Sequence, residues 1–564
     1  MTARGDSLAD CGGNGDERRL RSSAVGCTLV RVIATLFATG LLAAAAAPEV
    51  FRYGRFEQAF TAAQDYADPL KDVKVEVEFS GPEKSRARLL AFWDGGRTWR
   101  VRFSPEREGP WSFRVLTPGF TPPEGSFRAQ VYRGPNELLR RGAPRVSADG
   151  RHFVYADGTP WFWLADTAWN GALMSTDVEW RDYLADRAAK RFTAVQFVMT
   201  QWRAGLSDEL GETAFARDGG RLSINPAFFR RMDRKLEAVA EQGLVSAPVM
   251  LWALTSPAGE SPGEALPEEQ AAMLASYIAA RYDAFPAMWL LGGDGDYRAE
   301  KAERWKKIGR AVFPEGRSRR PVTLHPRGMH DPWPLLKDEP WLDFLMFQTG
   351  HGSDEKKWRW HATQGLAAAW RMEPPRPVID GEPNYEGHVS YAGEIIGDDL
   401  VRRAVYYSLL LAPTAGVTYG AHGIWFWARK PEVPLNHPRS GVAQPWRECL
   451  NYPGGTQMRV MRDIFDSIPW WRLRPDRSLL GDNPVDAGFT NYIAAARSDG
   501  DEVALIYLPR NESVRLNLTG VGKPARAIWI DPRSGRRTPA SKVGGAVELK
   551  TPGARDWLLL LDWR

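Results

Sequence analysis

Glu382 and Asp294 are the side chains of this 564-residue chain whose settings best suit acid–base chemistry. Glu382 lies in Arg376-Pro-Val-Ile-Asp-Gly-Glu-Pro-Asn-Tyr-Glu-Gly387, where a short apolar run, Val378 and Ile379, stops abruptly at Gly381-Glu382-Pro383. Proline cannot donate to a sheet ladder, so Pro383 ends a strand and leaves Glu382 at its C-terminal tip. Asp294 closes a second run of the same kind, Ala287-Met-Trp-Leu-Leu-Gly-Gly-Asp294. In a barrel of parallel strands the catalytic side chains collect at such tips. Two carboxyls there can divide the work on a glycosidic bond. One, protonated, releases the leaving group; the other, ionised, attacks or activates water. Each alone reads equally well as the cap of a following helix. The pair favours chemistry, with Asp294 as acid/base and Glu382 as nucleophile.

Other polar and aromatic residues follow further apolar runs. Asp166 and Thr167 precede Trp169, and Gln201 and Trp202 follow a second run. Trp252 closes a third, His325 stands in Thr-Leu-His-Pro, and Gln348-Thr-Gly-His351 ends another, with Trp425 and Trp427 after the last. Such a ring suits a hydroxyl-rich ligand: polar groups bond the hydroxyls and indole faces floor the rings. The expected substrate-binding set is Asp166, Trp169, Gln201, Trp252, His325, Gln348, His351, Tyr385, Glu386 and Trp425. Glu386 is also the alternative second carboxylate. Asp380, two residues before Glu382, is expected on the same face one layer deeper, as a structural group.

A metallo-hydrolase using His325, His330, Asp331 and His351 is the rival chemistry, but a five-residue spacing broken by Pro and Gly is not helix ligand spacing. No Gly-x-Ser-x-Gly elbow is present for a serine hydrolase. A carboxyl pair needs no metal or other cofactor, and none is expected. A non-catalytic polysaccharide-binding protein on a barrel scaffold is the other alternative; it would be expected to have lost one of the two carboxyls.

The elements that must position these residues alternate. Strands are expected at Phe162–Ala165, Ala194–Met199, Val245–Leu251, Met288–Leu291, Pro321–Leu324, Phe344–Phe347, Pro377–Ile379 and Gly416–Tyr419. Helical patterns lie between them at Thr176–Arg191, Phe228–Gln242, Pro267–Tyr282, Lys301–Val312 and Asp398–Leu411. That rhythm over residues 145–470 predicts an α/β (β/α)8 barrel. A doubly wound open sheet is disfavoured, because no Gly-rich phosphate fingerprint follows the first strand.

The flanks read differently. Residues 48–140 predict a β-sandwich: Val73-Lys-Val-Glu-Val-Glu-Phe79 alternates strictly, and Asp94-Gly95-Gly96 is a hairpin turn. From 471 to 564 the helical period disappears, and runs such as Val503–Leu508 and Trp557–Leu561 predict a second sandwich. Both sandwiches are expected to pack on the barrel without carrying chemistry.

Composition sets limits. A hydrophobic fraction of 43% and a charged fraction of 25% are those of a globular protein, and 24 Trp lean toward carbohydrate. The net charge of +5 lacks the clustered Lys/Arg tract that a nucleic-acid surface needs. Residues 1–47 resemble an export signal: Arg18, Arg19, Arg21 and Arg31 precede the apolar run Val32–Leu42 and a string of alanines. That run is short for a membrane span, so no stable insertion is expected after signal removal, although retention as an uncleaved anchor is the alternative. Cys11 and Cys27 fall in this segment, so Cys449 alone would remain in an exported chain without disulfides.

The segments Trp161-Phe-Trp-Leu-Ala-Asp-Thr-Ala-Trp169, Trp289-Leu-Leu-Gly-Gly-Asp294, Leu324-His-Pro-Arg-Gly328, Phe347-Gln-Thr-Gly-His351 and Ile379-Asp-Gly-Glu-Pro-Asn-Tyr-Glu-Gly387 resemble those of the apiosidase-like glycoside hydrolases. The resemblance spans roughly residues 50–564 and implies a bacterial (β/α)8 enzyme between an N-terminal sandwich and a C-terminal sandwich of the collagen-binding-like type. It further implies Asp294 and Glu382 as catalytic carboxyls, an oligo- or polysaccharide substrate of plant origin, and an exported enzyme. The chain departs from the family pattern after Asp294, where Gly295-Asp296-Tyr297 follows. Asp296 is therefore expected to raise the pKa of Asp294 as a nearby like charge.

Overall fold

The computed structural model describes residues 48–256, 260–315 and 320–564. The expected export signal, 1–47, lies outside the described residues. Eight parallel strands form the central sheet: β1 (Trp163–Thr167), β2 (Ala194–Val198), β3 (Val245–Trp252), β4 (Trp289–Gly293), β5 (Val322–Thr323), β6 (Leu345–Phe347), β7 (Val378–Asp380) and β8 (Gly416–Gly420). They are hydrogen-bonded in the order β5-β4-β3-β2-β1-β8-β7-β6. Between β5 and β6 the ring is drawn together by Asp343 N–H donating to Val322 O (2.9 Å) and Thr323 Oγ1 donating to Phe344 O (2.7 Å). The result is the expected (β/α)8 barrel, nearly closed.

Helices α1 (Asp177–Ala189), α2 (Pro226–Glu241), α3 (Glu268–Tyr282), α4 (Glu300–Val312), α5 (Glu355–Thr363) and α6 (Asp398–Leu410) cover the sheet. Their starts are written locally. Thr176 and Glu179 form a reciprocal capping box on α1, and the Asn225 side chain accepts from the first amides of α2. Side chains in the strands alternate between the barrel axis and these helices. In β1, Thr167 faces the axis, where Gln196 Nε2 donates to its hydroxyl at 2.9 Å, while Asp166 faces α1. The Gly292-Gly293 pair of β4 answers to crowding. A Cβ at Gly292 would meet the Trp305 ring at 2.7 Å, and one at Gly293 would meet Trp252 at 2.6 Å.

Both flanks are β-rich and pack against the barrel. In the first, Val75–Ser80 buries Val75, Val77 and Phe79, as its alternation requires. Its contact with the barrel is ionic as well as apolar. Arg102 of the sandwich grips Asp233 of α2 with two bonds (3.0 and 2.7 Å), and Arg281 of α3 grips the same carboxylate (2.8 and 2.7 Å) while reaching Asp94 at 3.0 Å. Burial alone would raise the pKa of Asp233, but these guanidinium bonds hold it well below the carboxylate range. At the other end, Arg402 of α6 grips Asp556 of the C-terminal sandwich (2.8 and 2.9 Å). One apolar core also runs from the barrel into that sandwich through Leu473, Val503, Leu505 and Leu560.

Removing Asp233 would leave two buried guanidiniums facing each other. Asp233→Ala is expected to cost about 3–5 kcal/mol, read as a lowered unfolding midpoint in denaturant. Glu57→Ala, which removes a half-buried partner of Arg102, is expected to cost about 1 kcal/mol or less.

Candidate active site

The mouth at the C-terminal ends of the strands is organised by the loops after β4, β5, β6 and β7. Strand β7 ends at Asp380, the chain turns at Gly381, and Glu382 enters the mouth with only 7% of its surface exposed. Glu382 Oε1 accepts from Gln348 Nε2 at 2.7 Å and from His351 Nε2 at 3.0 Å, and His325 Nε2 faces Oε2 at 3.2 Å. The ring protons follow from the other nitrogens. His325 Nδ1 accepts the Asp294 N–H at 3.2 Å and His351 Nδ1 accepts the Tyr385 N–H at 3.4 Å, so each ring carries its proton on the Nε2 that faces Glu382. Burial would raise the Glu382 pKa, but the two histidines outweigh it and hold the group well below the usual carboxylate range.

Asp294 follows Gly293 in the left-handed region, φ +48, a strained setting for a residue with a Cβ. Its amide is tied to His325, and the next residue, Gly295, bridges to Pro326. Burial, and then the Glu382 charge, push its pKa up to about 7, against opposition from His325, Arg203 and Arg327. Asp296 is not the cause, contrary to the expectation from sequence. It pairs with Arg298 at 2.8 Å, and that bond lowers its own pKa to about 2. The mouth thus holds one carboxyl poised to stay protonated near neutrality and one held ionised.

Around them stand several residues of the expected binding set. Trp169 packs edge-on to Trp252 (5.3 Å between centroids) and to His325 (5.4 Å). Tyr385 lies 4.4 Å from the His351 ring. Trp252 Nε1 and Gln348 Oε1 are buried without a protein partner, which leaves a donor and an acceptor for ligand hydroxyls. Trp425 is buried and spends its indole N–H on His422 Nδ1 at 3.0 Å, so it serves as wall.

Three expected binding residues face elsewhere. Asp166, on the outward face of β1, accepts from Tyr183 Oη (2.7 Å) and Arg187 Nε (2.6 Å) and is fully buried beneath α1. Gln201 uses both ends of its amide on the hairpin that follows β2, at Phe215 O and the Ala214 N–H. Glu386 accepts from Tyr419 Oη (2.6 Å) and from the Gly454 N–H at the start of the helix Pro453–Asp466, which removes it as a second catalytic carboxyl. Asp380 also departs from expectation. It faces α6 instead of sharing the Glu382 side, accepting from Ser408 Oγ (3.0 Å), Thr349 Oγ1 (2.7 Å) and the Thr349 and Glu382 amides (3.3 Å each). It is the post to which both donor and acceptor loops are tied.

Sequence reasoning missed Arg203, Arg327, Tyr391 and His437. Arg203 is locked to the loop after β8 by its bond to Asn436 O (2.7 Å), and His437 of that loop packs 5.0 Å from Trp425. Arg327 lies in the Leu-His-Pro-Arg-Gly segment and was passed over for its histidine neighbour. Nothing local marks the other three, because they arrive on loops with no periodic pattern.

The histidines of the metallo-hydrolase reading are not gathered around one point: His325 and His351 turn Nε2 toward Glu382, and His330 lies beside Asp296, at 3.9 Å. Among the described residues, no three His, Cys, Asp or Glu side chains are grouped to hold a metal ion.

A (β/α)8 barrel with a carboxyl pair at its C-terminal mouth is the architecture of a glycoside hydrolase. Residues 147–472 match the model of the apiosidase-like catalytic domain, and the chain belongs to that family of glycoside hydrolases. Residues 49–117 match a domain of unknown function, and 474–562 match a "Putative collagen-binding domain of a collagenase". Among solved structures, a glycoside hydrolase superposes with a TM-score of 0.65 at 22% identity, over 76% of this chain and 98% of its own. A family 5 glycoside hydrolase from Bacteroides vulgatus superposes with 0.65 at 22% identity, over 75% and 93%. A "putative glycoside hydrolase" from the same bacterium gives 0.67 at 17% identity over 91% and 100%, sharing the fold across nearly the whole chain. No curated protein matches.

Because Arg327 opposes the rise in the Asp294 pKa, its removal favours the protonated form further. Arg327→Ala is expected to move the alkaline limb of the kcat/KM profile to higher pH, and Arg327→Lys to leave it in place. Asp296→Asn should not move it.

Proposed function

We propose that the protein is an exported enzyme that hydrolyses glycosidic bonds in plant-derived oligo- or polysaccharides with retention at the anomeric carbon. The observation that carries this reading is the opposed protonation of the two carboxyls, Asp294 with a pKa near 7 and Glu382 held ionised by His325, His351 and Gln348. Asp294 donates its proton to the glycosidic oxygen while Glu382 attacks the anomeric carbon, so the leaving group departs as an alcohol and a glycosyl ester forms on Glu382. Water then adds at the same carbon, giving its proton to the Asp294 carboxylate and freeing Glu382. Retention rests on the family resemblance, under which the ionised Glu382 takes the role of nucleophile. Export is supported by the basic and then apolar character of residues 18–47. Among the described residues, no helix is long and apolar enough to cross a membrane.

Screening aryl glycosides and pectic oligosaccharides identifies the sugar. On it, Glu382→Ala is expected to lose about 10⁴-fold or more in kcat, with partial rescue by azide through a product of inverted configuration. Asp294→Ala is expected to lose about 10²–10⁴-fold on poor leaving groups while sparing activated aryl glycosides. A Glu382→Ala enzyme of near-normal activity would overturn the assignment.

The pH dependence carries a sign. Asp294 acts protonated, so kcat/KM is expected to fall as pH rises through about 7. Glu382, with its pKa depressed, stays ionised across the neutral range and contributes no limb there. Loss of the alkaline limb in Asp294→Ala, measured on an activated aryl glycoside, checks this.

A further inference from the structure

The aromatic rings nearest Glu382 are walls. Trp169, Trp252, Tyr385 and Trp425 each expose 3% or less of their surface. Tyr391 is different: it stands on the rim of the same mouth with 63% of its surface open. One edge of its ring runs along glycine backbone after β6. A Cβ on Gly350 would lie 3.6 Å from its Cε2 and Oη, and one on Gly352 would lie 3.8 Å from its Cδ2. On the other side its hydroxyl lies 3.8 Å from where a Cβ of Gly328, in the loop after β5, would stand. The ring therefore spans the loops that carry His325 and His351, the two histidines on Glu382.

Its backbone is held in place. Tyr391 N–H donates to His351 O at 3.0 Å, and the flanking chain is a small hydrogen-bonded hairpin, with Ser390 N–H on Glu394 O (2.7 Å) and Val389 bridged to Ile395. Val389 N–H also donates to Ser440 O of the loop after β8 at 2.9 Å. A ring carried on a held backbone binds at reduced entropic cost. Burial and then the charges of Glu382 and Asp294 push its phenol up to about 12.

We propose that Tyr391 is the platform on which the leaving-group sugar rests, so that the enzyme selects substrates whose departing group is itself a sugar ring. This rests on the catalytic reading above. The sugar attacked by Glu382 must sit down among Trp169, Trp252 and Tyr385, the buried rings of the mouth. A group attached through the oxygen that Asp294 protonates extends outward past both carboxyls, and Tyr391 is the open aromatic surface there. Apolar sugar faces pack on such rings, and Tyr adds area at low conformational cost.

The test compares two substrates carrying the sugar found by the aryl glycoside screen: its oligosaccharide, with a sugar leaving group, and its glycosyl fluoride, whose leaving group has no ring. The readout is the ratio of kcat/KM on the oligosaccharide to kcat/KM on the fluoride. Tyr391→Ala is expected to lower that ratio roughly tenfold, chiefly through KM, and Tyr391→Phe, which keeps the ring, to preserve it. An unchanged ratio in Tyr391→Ala, with both substrates hydrolysed normally or both impaired equally, overturns the platform and leaves the catalytic reading standing. A wild-type enzyme silent on every glycoside in the screen overturns the catalytic reading, and the platform with it.

Discussion

The site depends on keeping one anion, Glu382, charged in a place that is nearly closed to water. A buried carboxylate is costly unless its oxygens are bonded. Here Gln348 and His351 bond one oxygen and the His325 ring faces the other, so the same contacts that keep Glu382 ionised also tie together the loops after β5, β6 and β7. Asp380 ties the arrangement from behind, accepting the Thr349 and Glu382 amides together and anchoring them to Ser408 on α6. Glu382 is placed by a network that joins the loops after β5, β6 and β7.

The second carboxyl takes its character from the first. Asp294 is pushed up to about 7 because it is buried and because Glu382 is already charged. His325 joins them physically, one nitrogen on the Asp294 amide and the other facing the Glu382 carboxylate. The left-handed turn at Asp294 is the local strain that this join sustains. A proton donor and an anion therefore arise as one electrostatic unit, and neither pKa belongs to its residue alone.

The flanking sandwiches contribute none of these groups, yet they are not detachable decoration. Arg281 and Asp233 are barrel residues whose charges are completed by Asp94 and Arg102 of the first sandwich. Arg402 stands in the same relation to Asp556 of the second. A barrel cut at 145 and 470 would keep its mouth and lose the partners of buried charges on its flank.

The barrel was legible in the chain because buried parallel strands read as apolar runs and their helices as an amphipathic period. All eight strands fall where those runs predict, and the carboxyls Glu382 and Asp294 follow from what stops two of them, Pro383 and the Gly-Gly pair. The facing of individual side chains was not legible. Asp166 and Thr167 are neighbours in sequence, and only the closure of the sheet decides that Thr167 looks to the axis and Asp166 to Arg187. Glu386, expected from sequence to bind a sugar hydroxyl and the alternative second carboxylate, is taken instead by Tyr419 and the helix beginning at Pro453. Tyr391, Arg203 and His437 reach the mouth on aperiodic loops whose path is set by bonds to residues tens or hundreds of positions away. The chain by itself determined which elements form and which carboxyls stand at strand ends, because strand and helix patterns are short-range. Which of those groups meet, which are charged and which are walls was decided by the fold alone, since burial and long-range partners exist only once the barrel has closed.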